Sequence, residues 1–131
     1  MIALDTNLLL RLATHDDPAQ LAALERFLAA HPHETFLIPD VVLVETVWSL
    51  RAAYGWSRPQ LVETVRRLAG RLDVDFEDRT RVMDAVRELE AGGDFADALI
   101  VSRARGLGCS GLATFDADLA RRHPDFVIRP R

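Results

Sequence analysis

Short apolar runs alternate with helical periodicities along the chain. Ile2-Ala3-Leu4 is apolar and stops at Asp5, which reads as a buried strand with a short helix to follow over 7–13. Asp17-Pro18-Ala19-Gln20 has the form of a helix start: an N-cap Asp, Pro at the first helical position and Gln at the capping-box position. Leu21, Leu24, Phe27 and Leu28 then recur at helical spacing. Thr35 to Ile38 is a second strand, ended by Pro39, and Asp40 is placed to cap a helix running to about Ala53 and closed by Gly55. On that helix Leu43, Val44, Val47 and Leu50 form the core stripe, with Trp48 assigned to the core by its spacing from Val44. Glu45 falls on the other face with Thr46, Ser49 and Ala52.

The same logic continues. Ser57-Arg58-Pro59-Gln60 opens a helix with Leu61, Val65 and Leu68 on one face, and Leu72-Asp73-Val74 is a weak strand. A helix over 77–91 turns Val82, Ala85, Val86 and Leu89 inward and stops at Gly92-Gly93; Asp94 starts the next, to about Arg105. Ser110 to Phe115 is a strand, 116–122 a helical turn or two, and Phe126 to Ile128 the last strand. Short strands separated by helices predict an α/β fold, a three-layer α/β/α sandwich with a mostly parallel central sheet. Ligands bind such sheets beyond the carboxyl ends of the strands, so residues that follow strands carry the interest.

Composition narrows the chemistry. The 131 residues, 49% hydrophobic and 27% charged, suit one folded domain over 1–131 without disulfides or a structural metal. No apolar run is long enough for a membrane span and the first residues lack a signal peptide's basic start, so the expected location is the cytoplasm. Cys109 is the single cysteine, and no Cys/His cluster has zinc-type spacing. The net charge is −4, the wrong sign for gripping nucleic acid by bulk electrostatics. All 16 basic residues are arginine. Without lysine the chain cannot be a P-loop enzyme, a Schiff-base enzyme or an ordinary phosphoacceptor domain.

The acidic residues form a pattern. Asp5 and Asp116 each follow a strand, so parallel neighbouring strands would deliver both carboxylates to one sheet edge. Glu45 lies one turn into its helix, while Asp94 and Asp97 share the first turn of another, three residues apart on one face. Crowded carboxylates raise one another's pKa, and a divalent cation reverses that cost. Hard oxygen ligands at strand ends and a helix N-terminus suit Mg²⁺ or Mn²⁺. Each residue also has an ordinary structural role open to it: Asp5, Asp94 and Asp116 as N-caps, Asp97 as a partner of the helix dipole, Glu45 as a solvent-facing residue. Their joint placement carries the argument.

These residues resemble a known family. Asp5-Thr6-Asn7-Leu8-Leu9-Leu10-Arg11 after the first strand resembles the opening motif of PIN-domain nucleases. Val44-Glu45 within Ile38 to Glu45 resembles their second motif, Asp94-Phe95-Ala96-Asp97-Ala98-Leu99-Ile100 the third and Ala113-Thr114-Phe115-Asp116 the fourth, in order across essentially the whole chain. In size and build the chain is similar to the VapC toxins of bacterial toxin–antitoxin pairs. The resemblance implies a metal-dependent endoribonuclease. It matches Asp5, Glu45, Asp97 and Asp116 to the family's acidic quartet, Asp94 to an extra acidic position, Thr114 to a hydroxyl beside the site and Asn7 to a polar residue that orders it. It further implies a homodimer silenced by a small antitoxin protein.

On this reading RNA backbone contacts come from arginines around the rim, Arg11 first and Arg103 and Arg105 after it, and Trp48 and Trp56 are aromatic residues on which bases could stack. His15, His31, His33 and His123 are expected as surface residues in loops or turns. A dehalogenase-like phosphatase shares the strand-then-Asp opening but needs a second Asp where Asn7 stands, and a lysine. Two roles compete with that of a toxin: an RNA-processing PIN nuclease, and a catalytically weak RNA-binding or assembly subunit.

Overall fold

Each strand but the last is followed within four residues by the start of a helix. The computed structural model describes residues 1–131. In chain order the elements are β1 (Ile2–Ala3), α1 (Thr6–Thr14), α2 (Pro18–Ala29), β2 (Phe36–Ile38), α3 (Asp40–Ala52), α4 (Arg58–Ala69), β3 (Val74–Phe76), α5 (Arg79–Glu90), α6 (Phe95–Gly106), β4 (Leu112–Ala113), α7 (Ala117–Arg122) and β5 (Val127–Ile128). The expected α/β class with a parallel sheet is what the chain adopts. The chain divides into two compact units, Met1–Arg79 and Thr80–Arg131.

In the first unit the strands lie in the order β1-β2-β3, all parallel, with Ile2 opposite Phe36 and Phe36 opposite Val74. Parallel neighbours need crossovers, which α1 with α2 and α3 with α4 supply. The interior is Phe36, Ile38, Leu43, Leu50 and Val65, each nearly or wholly inaccessible. Burying each such side chain contributes about 1.5–3 kcal/mol. Both expected helix starts are present. Asp17 accepts from the Gln20 N–H at 3.1 Å. Ser57 and Gln60 form the full reciprocal capping box, at 3.4 and 2.8 Å. In the second unit β4 pairs in parallel with β5, and Val101, Leu119 and Phe126 form a core joined by Leu112 and Val127.

Four local expectations are corrected. Asp40 does not cap α3. Pro39 is the N-cap and offers no side-chain hydrogen bond, whereas Asp40 is the first helical residue and is buried. The cap comes from beyond β3, where Glu77 Oε2 accepts from the Asp40 N–H at 2.5 Å. Parallel pairing sets the ends of β2 and β3 side by side, so this carboxylate reaches an orphan amide that no neighbour in sequence satisfies. Leu72 is fully exposed and the strand starts at Val74, which with Phe76 points inward. Trp48 is 66% exposed, not core, because α3 turns Leu43, Thr46, Val47 and Leu50 inward. Thr46 can be buried there because its hydroxyl donates to the Val42 carbonyl at 2.7 Å. Finally, two histidines are not plain surface residues. His123 contacts Glu88 at 2.6 Å, both partly buried, and His31 sits on the Phe27 ring with its Nδ1 2.8 Å from the Phe27 carbonyl oxygen.

Candidate active site

Asp94 and Asp116 are both N-caps, as their positions allow. Asp94 accepts from the Asp97 N–H at 2.9 Å, which fixes the first turn of α6. The chain reaches Asp94 through Gly92, whose φ of +105° favours glycine, and Gly93. A Cβ on Gly93 would lie 2.7 Å from Glu88 Cγ, so the turn closes against α5 only with glycine there. Asp116 accepts from the N–H groups of Asp118 and Leu119 at 2.9 and 3.1 Å, and its own N–H donates to Thr114 Oγ1 at 3.1 Å. Thr114 thus orders the segment that carries Asp116.

Asp97 is the electrostatic focus of this unit. It is half-buried in the first turn of α6, and its pKa is raised. Burial is the main cause, followed by the negative charges of Asp94, Asp116, Glu88 and Asp118. The structure therefore sets Asp94 and Asp116 within electrostatic reach of Asp97, and adds Glu88 and Asp118, which sequence reasoning missed. The added pair differs in one respect: each has a basic partner. Arg121 and Arg122 hold Asp118, and His123 lies against Glu88. No basic side chain pairs with Asp97 or Asp116. A signal for Glu88 was present only in the Gly pair, since the Gly93 N–H returns to the Glu88 carbonyl at 2.8 Å.

Asp5 and Glu45 belong to the first unit. Asp5 caps α1, accepting from the Thr6 N–H at 2.7 Å, and its side chain is exposed where β1 ends. Glu45 is exposed on α3, and α3 packs on α1. Asn7, in the first turn of α1, lines a cleft of about 460 Å³ between α1 and α2 together with Arg11, Leu24 and Phe27. Arg11 is not a free rim cation: its guanidinium is bound to Asp16. That carboxylate also accepts from the Thr14 and Tyr54 hydroxyls at 2.7 and 2.8 Å. Arg105 is likewise engaged, with Asp125 at 3.2 Å and over the Phe126 ring.

The donor set fits a hard divalent cation. It is made of carboxylate oxygens alone, and an unneutralised group of acids around Asp97 is what such an ion relieves. It is not a preformed cage, for no three His, Cys, Asp or Glu side chains stand together as a ligand group. Mg²⁺ needs no cage, because it keeps several waters and takes one or two carboxylates. Within the second unit the arrangement offers acid–base groups and a cation-attracting patch around Asp97.

A protein-family model described as PIN domain matches residues 2–123, a span that includes Asp5, Glu45, Asp94, Asp97, Thr114 and Asp116. No curated protein and no solved structure matches the chain.

Proposed function

Because the chain belongs to the PIN-domain family, whose members are as a rule nucleases, we propose that it is a Mg²⁺- or Mn²⁺-dependent endoribonuclease, the toxin of a toxin–antitoxin pair. The observation that carries the metal dependence is Asp97, a carboxylate pressed by burial and four acidic neighbours with no cation beside it. Asp5 and Asp97 would be the main residues to hold the ion, with Glu45 and Asp116 completing the shell and Asp94 a further acidic member. When bound, the ion supplies charge neutralisation at the scissile phosphate and a more acidic water. The chain's own groups do the rest. Asp94 fixes the turn from which Asp97 projects, and Thr114 holds the Asp116 backbone. Glu45 or Asp116, both exposed, accepts the proton of the attacking water at a carboxylate oxygen. Asn7 would be the polar residue that helps order the site, as the family resemblance implies.

No helix is long and apolar enough to cross a membrane; that the protein works in the cytoplasm is part of the proposal. The family resemblance supports a homodimer silenced by a small antitoxin. The acidic residues suit a partner tail bearing arginine, whose guanidinium pairs bidentately with carboxylates. The test is expression of wild type and Asp5→Asn without a partner, with mapping of RNA ends. Growth arrest with discrete new 5′ ends from the wild type alone supports the reading. Equal growth with unchanged ends favours an assembly subunit, and metal-dependent cleavage in vitro without arrest favours an RNA-processing enzyme. Cleavage undiminished in EDTA overturns the metal dependence.

A further inference from the structure

Next to Asp116, one residue of the acidic group, stands an exposed aromatic side chain. β4 ends at Ala113, and the three residues that follow are pinned on both sides. The Thr114 N–H donates to the Ile128 carbonyl at 3.0 Å, and Asp116 is tied to Thr114 and to the first amides of α7. Between these anchors Phe115 is 78% exposed. Strand alternation explains the direction: Leu112 and Thr114 are half-buried, Ala113 and Phe115 exposed. The unit's core is filled without it, by Val101, Leu119 and Phe126.

A cation stands at the same place. Arg129, the residue after β5, donates from Nη2 to the Phe115 carbonyl at 3.5 Å and pairs with no carboxylate. In the same unit Arg87, Arg105, Arg121 and Arg122 are all engaged by aspartates. A flat apolar ring and a guanidinium with no carboxylate partner thus share one edge, next to Asp116. With a net charge of −4 and acids next door, bulk attraction cannot bring RNA here, whereas stacking carries no charge.

We infer that Phe115 and Arg129 form a nucleotide-holding edge: the ring stacks on a base of single-stranded RNA beside the scissile phosphate, and the guanidinium meets a backbone phosphate. The inference rests on the nuclease reading and adds to it two residues that hold the substrate, with little base preference at this position. Stacking on an aromatic face tolerates every base, and a paired base has no free face to offer.

The test is binding of a fluorescein-labelled, mixed-sequence single-stranded RNA oligonucleotide, read by anisotropy in EDTA, with cleavage assayed separately in Mg²⁺. Phe115→Ala and Phe115→Leu should weaken binding by roughly 5- to 150-fold. Phe115→Tyr and Phe115→Trp should restore it, which apolar bulk alone would not explain. Arg129→Gln should lower the slope of log Kd against log salt by about 0.7. Melting temperatures should match the wild type, since both side chains are exposed. Wild-type affinity in Phe115→Ala, with cleavage still lost in Asp97→Asn, overturns this inference and leaves the nuclease standing. A Phe115→Ala protein that changes only its sedimentation, not its RNA affinity, overturns it in favour of a protein contact. A wild type that neither binds nor cleaves the RNA overturns both readings.

Discussion

Replacing Asp97 by Asn removes one negative charge from a crowded group and leaves the side-chain shape nearly unchanged. Burial, then Asp94, Asp116, Glu88 and Asp118, put the Asp97 pKa above its ordinary value of 3.8. A raised carboxyl pKa means that the ionised group opposes folding at neutral pH. That penalty fades as pH falls through the folded value and is gone below the unfolded one. In EDTA the Asn variant should therefore melt above wild type at neutral pH, and the gap should close by about pH 4. Asp94 provides the contrast, because its carboxylate accepts from the Asp97 N–H at 2.9 Å. Asp94→Ala deletes that cap at a cost of about 1 kcal/mol. For a chain of this size the loss lowers the melting temperature by roughly 3–5 °C. Asp94→Ser keeps a capping oxygen and should recover most of it. Cleavage of RNA in Mg²⁺ should fall about 10²- to 10⁴-fold in Asp97→Asn, while Asp94→Ser stays substantially active. Thermal melts in EDTA across the pH range, paired with gel-based cleavage, measure both. An Asn variant that melts below wild type at neutral pH would make Asp97 a structural residue. Equal losses of cleavage in Asp97→Asn and Asp94→Ser would place Asp94 among the ion-holding residues.

Three further outcomes follow from the contacts. Asp16 is held well below the usual carboxylate range by the Thr14 and Tyr54 hydroxyls and by Arg11. Asp16→Asn should therefore melt below wild type at neutral pH, with the gap narrowing as pH falls below 3.8; a gap independent of pH counts against the network. Gly93→Ala places a Cβ 2.7 Å from Glu88 Cγ and 3.1 Å from its carbonyl oxygen, and should destabilise by about 1–3 kcal/mol. It should also reduce cleavage, since the turn sets Asp94; a variant with full stability shows that α5 yields. Ser57→Ala breaks the capping box of α4, a helix that carries none of the acidic candidates, and should cost about 1 kcal/mol by denaturant titration with cleavage unchanged.

Much of this molecule is written locally. The starts of α2, α4, α6 and α7 depend on Asp17, Ser57, Asp94 and Asp116 reaching amides within three residues, so their sequences suffice to place them. The acidic candidates were legible for the same reason, each being a carboxylate just after a strand or within the first two turns of a helix. What tertiary structure decided lies between residues distant in the chain. Glu77 caps α3 from 37 residues away because parallel pairing aligns two strand ends. Trp48 faces outward because the inward stripe of a helix is set by what packs on it, and a one-residue rotation moves a side chain by about 100°. Glu88 and Asp118 come within reach of Asp97 through folding alone, and folding also makes the division between acids with a basic partner and acids without one. Arg129 reaches Phe115 across 14 residues by the pairing of β4 with β5. Hydrogen bonds within a turn are fixed by neighbours in sequence, whereas charges meet only where crossovers return the chain, and no short stretch of sequence encodes that return.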